Sequence, residues 1–213
     1  MGRKVNANAI RMGLNKTWDS VWYARKALYP AIFAEDMRIK GIVAKKMNDA
    51  GLDKIGINRT LNKIEVEVHV AKPGVAIGRG GEGIDLLQKD LSKMTKKDVE
   101  IKIKEVSKAD ISANIIAKSI AEGVQRRQPS KLLVASAKEK AMMAGAKGIR
   151  IWVSGRINNA SQARTVKVNV GSVPAQRLKA DIDYAEATAK TLDAGLMGIK
   201  VWIYKGDKTR VEE

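Results

Sequence analysis

The apolar positions of this chain follow two different periods. In Ile64-Glu65-Val66-Glu67-Val68-His69-Val70 and in Val99-Glu100-Ile101-Lys102-Ile103-Lys104 they alternate strictly with polar ones, as in a strand with one face buried. Across residues 34–50 they fall at Met37, Ile42, Val43 and Met47, which predicts an amphipathic helix stopped by Gly51. Residues 54–59 read as a short strand, turned by Thr60-Leu61-Asn62 into the first alternating run. A single helical turn fits residues 74–77. A longer helix fits 81–94, where Ile84, Leu87 and Leu91 recur at helical spacing. The predicted order is α-β-β-α-α-β.

A boundary is predicted near residues 107–110. Beyond it Ile111, Ile115, Ile116, Ile120 and Val124 mark a helix, and Pro129 suits the first turn of a second one running to Gly145. Four strand-like stretches follow, at 149–154, 164–170, 180–189 and 198–204. Their short connections favour antiparallel pairing. The fold class expected is therefore α+β: the α-β-β-α-α-β domain, then a two-helix, four-strand domain. Residues 1–35 lack clear periodicity and read as a basic, aromatic arm. Its aromatics could pack on a domain while its cations stay solvated. The domains are expected at 36–106 and 107–205, with a loose polar tail at 206–213.

Composition narrows the function. The chain has 213 residues and 40 Lys+Arg against 23 Asp+Glu, a formal charge of +17. Hydrophobic residues make up 45%, too many for a disordered basic tail. Such a balance implies a polyanionic partner. No apolar run approaches the ~18 residues of a membrane span, so no membrane role is expected, and no secretory leader is recognisable. Cysteine is absent and His69 is the only histidine, on the polar face of its strand with Glu65 and Glu67. Structural zinc, thiol catalysis and histidine-centred triads are thereby excluded; no metal, cofactor or enzymatic activity is expected.

The candidate chemistry lies between the two central helices of the first domain. Gly78-Arg79-Gly80-Gly81 is a G-x-x-G tetrapeptide with a basic residue second, flanked by Val75, Ile77 and Ile84. Glycines at this spacing let the backbone turn sharply between helices. A phosphodiester can then approach the amide N–H groups, as in the clamp of a KH domain. Gly78 to Gly83 also satisfies G-x-G-x-x-G. A dinucleotide site needs that pattern directly after a strand in a parallel βαβ unit, whereas seven residues, 71–77, separate Val70 from Gly78. A tight helix–helix turn with no ligand is the simpler alternative. Trp152 beside Arg156, and Trp202 and Tyr204 beside Lys200 and Lys205, could form a stacking and phosphate-contact surface. They could equally be amphipathic strand faces on which cationic stems pack.

Several segments together resemble one family. They are Met1-Gly2-Arg3-Lys4-Val5-Asn6, Trp18-Asp19-Ser20 with Trp22-Tyr23, the glycine loop, Ala144-Gly145-Ala146-Lys147-Gly148-Ile149, Val153-Ser154-Gly155-Arg156, Ala180-Asp181-Ile182-Asp183-Tyr184 and the run Gly198 to Gly206. In this order, over nearly the whole chain, they are similar to the bacterial small-subunit ribosomal protein three family. The resemblance implies a type II KH domain and a C-terminal α/β domain. It implies binding to rRNA in the head of the small subunit, a place at the mRNA entry channel, and contacts with small-subunit ribosomal proteins two, ten and fourteen, all in the cytoplasm. It selects Gly78, Arg79, Gly80, Gly81, Arg3, Lys4, Arg11, Arg126, Arg127, Lys131, Arg156 and Arg164 as RNA contacts. Where the family has adjacent arginines and a lysine one turn later, this chain reads Ser130-Lys131-Leu132-Leu133-Val134-Ala135, which implies a weaker grip on incoming mRNA. A KH-type regulator working outside the ribosome and a nucleotide-dependent enzyme are the two rival readings.

Overall fold

The computed structural model describes residues 5–60 and 63–208. The chain divides into two compact units: Trp18–Ser107, and Lys108 onward together with the segment up to Thr17. The expected arm of residues 1–35 is thus shared between the units.

In the first unit, β1 (Ser20–Val21) precedes α1 (Tyr29–Lys46), β2 (Leu52–Arg59), β3 (Lys63–Val70), α2 (Pro73–Ile77), α3 (Glu82–Thr95) and β4 (Asp98–Glu105). The sheet order is β1-β2-β3-β4. β2 and β3 form an antiparallel hairpin, while β4 runs parallel to β3 with Val66 opposite Ile101. The two-residue strand β1 is an addition that no periodicity announces; it pairs parallel to β2, Ser20 opposite Ile57. The alternation of β3 is realised fully: Ile64, Val66, Val68 and Val70 are buried. Leu87 and Leu91 of α3 and Ile39, Val43 and Met47 around α1 close the core over them. His69 is half-buried on the opposite face.

Helix α1 begins five residues earlier than its periodicity suggests, with Pro30 inside its first turn, where a missing N–H costs nothing. A buried carboxylate about two turns in anchors the helix. Asp36 accepts from Trp22 Nε1 at 2.7 Å and from Arg59 Nε at 2.7 Å, and Glu35 pairs with Arg59 at 3.0 Å. Part of the aromatic arm is therefore packed on this unit, with Trp22 against Tyr29 at 5.1 Å between ring centres.

The second unit holds α4 (Ala113–Gln125), α5 (Ser130–Met143), β5 (Gly148–Gly155), β6 (Arg164–Gly171), β7 (Ala180–Thr191) and β8 (Gly195–Asp207). Its sheet, ordered β6-β5-β8-β7, is antiparallel throughout. Ser112 caps α4 through its side chain, which accepts from the N–H of Ile115. Ile149, Ile151 and Val153 join Ile199, Val201 and Ile203 in a core with Ile116, Ile120 and Val124 of α4.

The other face of this sheet is covered as well. Trp202, Tyr204, Tyr184 and Ile182 form a smaller core with Ala7. Trp202 and Tyr204 are therefore packing residues and not a stacking surface. Trp152 meets Trp202 edge-on at 5.0 Å, with Lys167 Nζ 4.9 Å from its ring centre.

Candidate nucleic-acid interface

The glycine loop is built by backbone conformation. α2 ends at Gly78, whose φ is 75°, and Gly80 and Gly81 follow at 63° and 85°. L-residues with side chains pay to enter this left-handed region; glycine does not. Gly81 serves as N-cap of α3. A Cβ built at Gly80 or Gly81 would have nothing within 4 Å, so the turn is open on its outer side. Gly83 has a different reason: its Cβ would stand 3.2 Å from the carbonyl oxygen of Ile77, where the two helices meet closely. The first turn of α3 carries Glu82 and Asp85. These carboxylates suit the positive helix end but repel phosphate, so attraction at this loop must come from the amides and nearby cations.

The expected cations fall into four groups. Arg127 and Arg156 are exposed and line one cleft of about 370 Å³. It lies where the α4–α5, β5–β6 and β7–β8 connections meet. Lys190, Gln128, Asn158 and Asn159 share its lining; none of the four was expected from sequence. Adjacent asparagines are a turn signal, but nothing in the string links them to the α4–α5 connection. Arg126, Lys131 and Arg164 are exposed outside the cleft, Arg164 opposite Gly155 in the β5–β6 register. Arg3 and Lys4 lie outside the described residues, as does the side chain of Arg79.

Arg11 is corrected. It is fully buried. Its Nε donates to Ala180 O at 2.7 Å, Nη1 to Ala7 O at 2.8 Å, and Nη2 to Ala175 O at 3.0 Å and Arg177 O at 2.8 Å. A guanidinium has five N–H donors, and four are spent on carbonyls. Burial draws its pKa below the ordinary value, opposed by the carboxylate of Asp181. Arg11 is a fastener of the second unit and cannot reach a phosphate.

Among the described residues no group of three or more His, Cys, Asp or Glu could hold a metal, and no helix is long and apolar enough to cross a membrane.

A glycine-clamp domain followed by a basic, cleft-bearing α/β unit defines a KH-type RNA-binding protein. The comparisons are more specific. A KH domain model matches residues 38–111, and the model for "Ribosomal protein S3, C-terminal domain" matches 116–203. The chain is 43% identical to small ribosomal subunit protein uS3 of Acetivibrio thermocellus, over 100% of this chain and 97% of the relative. It is 43% identical to uS3 of Gluconobacter oxydans, over 97% and 91%, and 45% identical to uS3 of Clostridioides difficile, over 97% and 76%. The chain belongs to the uS3 family of small ribosomal subunit proteins, a structural and non-enzymatic family.

Proposed function

We propose that this protein binds rRNA in the head of the small ribosomal subunit and lines the path by which mRNA enters. Its protein neighbours in that place are small-subunit proteins two, ten and fourteen. The observation that carries the RNA-binding part is the turn at Gly78–Gly81. Three left-handed glycines hold amides at an open surface, on a chain of formal charge +17. Backbone amides and Arg79 grip phosphate there. Arg126, Arg127, Lys131, Arg156 and Arg164 contact RNA from the second unit, with Arg3 and Lys4 completing the basic set.

The test places negative charge where phosphate would lie. Full-length Arg79→Asp with Gly80→Asp should stay folded, because Asp tolerates the left-handed region better than most residues. It should co-sediment less with small subunits through a high-salt wash and bind single-stranded RNA more weakly. Unchanged affinity in the folded double variant would show that the loop is only a helix–helix turn. Affinity should also fall steeply with salt, with a log–log slope of roughly −4 to −5 for ~6 phosphates engaged.

A further inference from the structure

The cleft beside Arg127 and Arg156 is built with more care than a set of phosphate contacts needs. Four non-glycine residues in the described structure have positive φ: Lys96, Arg127, Asn158 and Asn159. Three of the four line this cleft. Such conformations persist only where the surrounding structure enforces them, and they gather at ligand sites. Asparagine enters the left-handed region with some ease, but arginine does not.

The strain sets the lining. Arg127 closes α4 with its N–H on Val124 O at 3.0 Å, while the next N–H, of Gln128, reaches Gly123 O at 3.0 Å. This is a Schellman closure, in which glycine is the usual occupant of the left-handed position. Arginine there puts a cation at the mouth. Asp193 lies 3.3 Å from Arg127 Nη2. Arg156 is held by its Nε–H on Ala160 O at 2.9 Å. With Lys190 the rim carries three cations against one carboxylate. The buried part of the lining is apolar, with Ile157 and Met197.

Cations alone would fit any polyanion. Cations around side-chain amides and an apolar lining fit a nucleotide. Amides offer both donors and acceptors to a base edge, the apolar lining takes the flat face, and the rim takes the flanking phosphates. The volume lies within the ~300–1,000 Å³ of small-molecule sites. We infer that this cleft receives a single unpaired ribonucleotide of an RNA chain, with its base among Gln128, Asn158 and Asn159 and its phosphates on Arg127, Arg156 and Lys190. This rests on the RNA-binding reading above. A bulge in folded RNA and an unstructured strand both present such a nucleotide, with the same chemistry.

The experiment measures full-length protein against three RNAs: a fully paired hairpin, the same hairpin with one unpaired nucleotide (each of the four bases in turn), and an unstructured hexamer. The best bulged hairpin or the hexamer should bind about tenfold more tightly than the paired one, the discrimination expected of one well-read base. Preference for the bulge assigns the site to folded RNA, and preference for the hexamer to an unstructured strand. Asn158→Gly with Asn159→Gly keeps the left-handed backbone and removes the amides. That variant should melt no lower than the parent and yet lose the preference. Equal affinity for all three RNAs, or a preference that survives the double glycine variant, overturns the nucleotide site while leaving RNA binding intact. No binding to any RNA at low salt overturns RNA binding and the site together.

Discussion

Arg127 and Gly145 occupy the same structural position in consecutive helices. Each is the left-handed residue closing a Schellman turn: Gln128 N–H reaches Gly123 O behind Arg127, and Ala146 N–H reaches Ala141 O at 3.1 Å behind Gly145. Their φ values are 61° and 98°. Glycine adopts this conformation freely, and arginine does so at a cost of about 1–2 kcal/mol. With nothing within 4 Å of a Cβ at Gly145, Gly145→Ala should destabilise by about 1 kcal/mol through backbone conformation alone. Conversely, Arg127→Gly in an Asp193→Asn background, where the exposed ion pair is already gone, should stabilise by about 0.5–1 kcal/mol. Denaturant midpoints for both check this. A stability gain accompanied by lost RNA affinity marks Arg127 as a residue kept for binding.

Arg11 should behave in the opposite way. Arg11→Met removes the donors on Ala7, Ala175, Arg177 and Ala180. Ala180 O keeps Asn15 Nδ2 and Arg177 O keeps the Ala180 N–H, so Ala7 O and Ala175 O are the carbonyls that lose their partner. At about 1–3 kcal/mol for each, the loss should be about 2–6 kcal/mol. A domain of this size loses roughly 2–4 °C of melting temperature per kcal/mol. Arg11→Lys should rescue little, since an ammonium cannot span four carbonyls. Below the melting transition the salt slope of RNA binding should be unchanged. A shallower slope with unaltered stability would return Arg11 to the RNA surface.

Two of the chain's four tyrosines should titrate late. Burial and the hydrogen bond donated to Glu186 hold the Tyr184 phenol above its ordinary value. The hydrogen bond to Asp207, with burial, does the same for Tyr204. The unfolded chain releases these protons near pH 10. Their stabilising contribution is therefore complete below about pH 10 and is lost as pH climbs through the higher folded values. Phenolate absorbance followed beside chemical denaturation above pH 9 tests this, and Tyr184→Phe should flatten the alkaline loss of stability.

Leu132 is 67% exposed on α5, and Ala135 is half-buried one turn on. Leu132→Arg with Ala135→Lys should change stability by little, because the larger change is at an exposed site. It restores two cations next to Lys131. If α5 faces incoming mRNA, ribosomes carrying the variant should pass a stable hairpin faster, with translocation on unstructured messages unchanged. No gain on the hairpin would mean that α5 faces elsewhere or that Arg126, Arg127 and Lys138 already supply the grip.

The regular part of this fold was legible because its chemistry is local. Alternation in β3 and β4 and glycine spacing at 78–81 are properties of neighbouring residues, and each corresponds to an element the structure contains. What sequence could not give was convergence. Arg11 reads as one more cation in a basic segment, because the carbonyls that consume it come from residues 7, 175, 177 and 180. Trp202 and Tyr204 alternate as a polar face should, and become buried only because a second layer forms over that side of the sheet. The cleft was invisible for the same reason: its strained residues lie some thirty positions apart, and strain leaves no mark on composition.

The division of the chain at Thr17 and Lys108 also sets an order of events during synthesis. The unit at Trp18–Ser107 is continuous and can close its sheet as soon as β4 has emerged. Residues 5–17 emerge before it and find nothing to bind, since Ala175, Arg177 and Ala180 are not yet made. At roughly 5–20 residues per second that wait is on the order of ten seconds or more. During it the Arg11 guanidinium is hydrated and Ala7 uncovered. A segment made before the first unit is thus among the last to settle, and a chain stalled before β8 has Tyr184 but lacks Trp202 and Tyr204, the rest of the wall that Ala7 packs against.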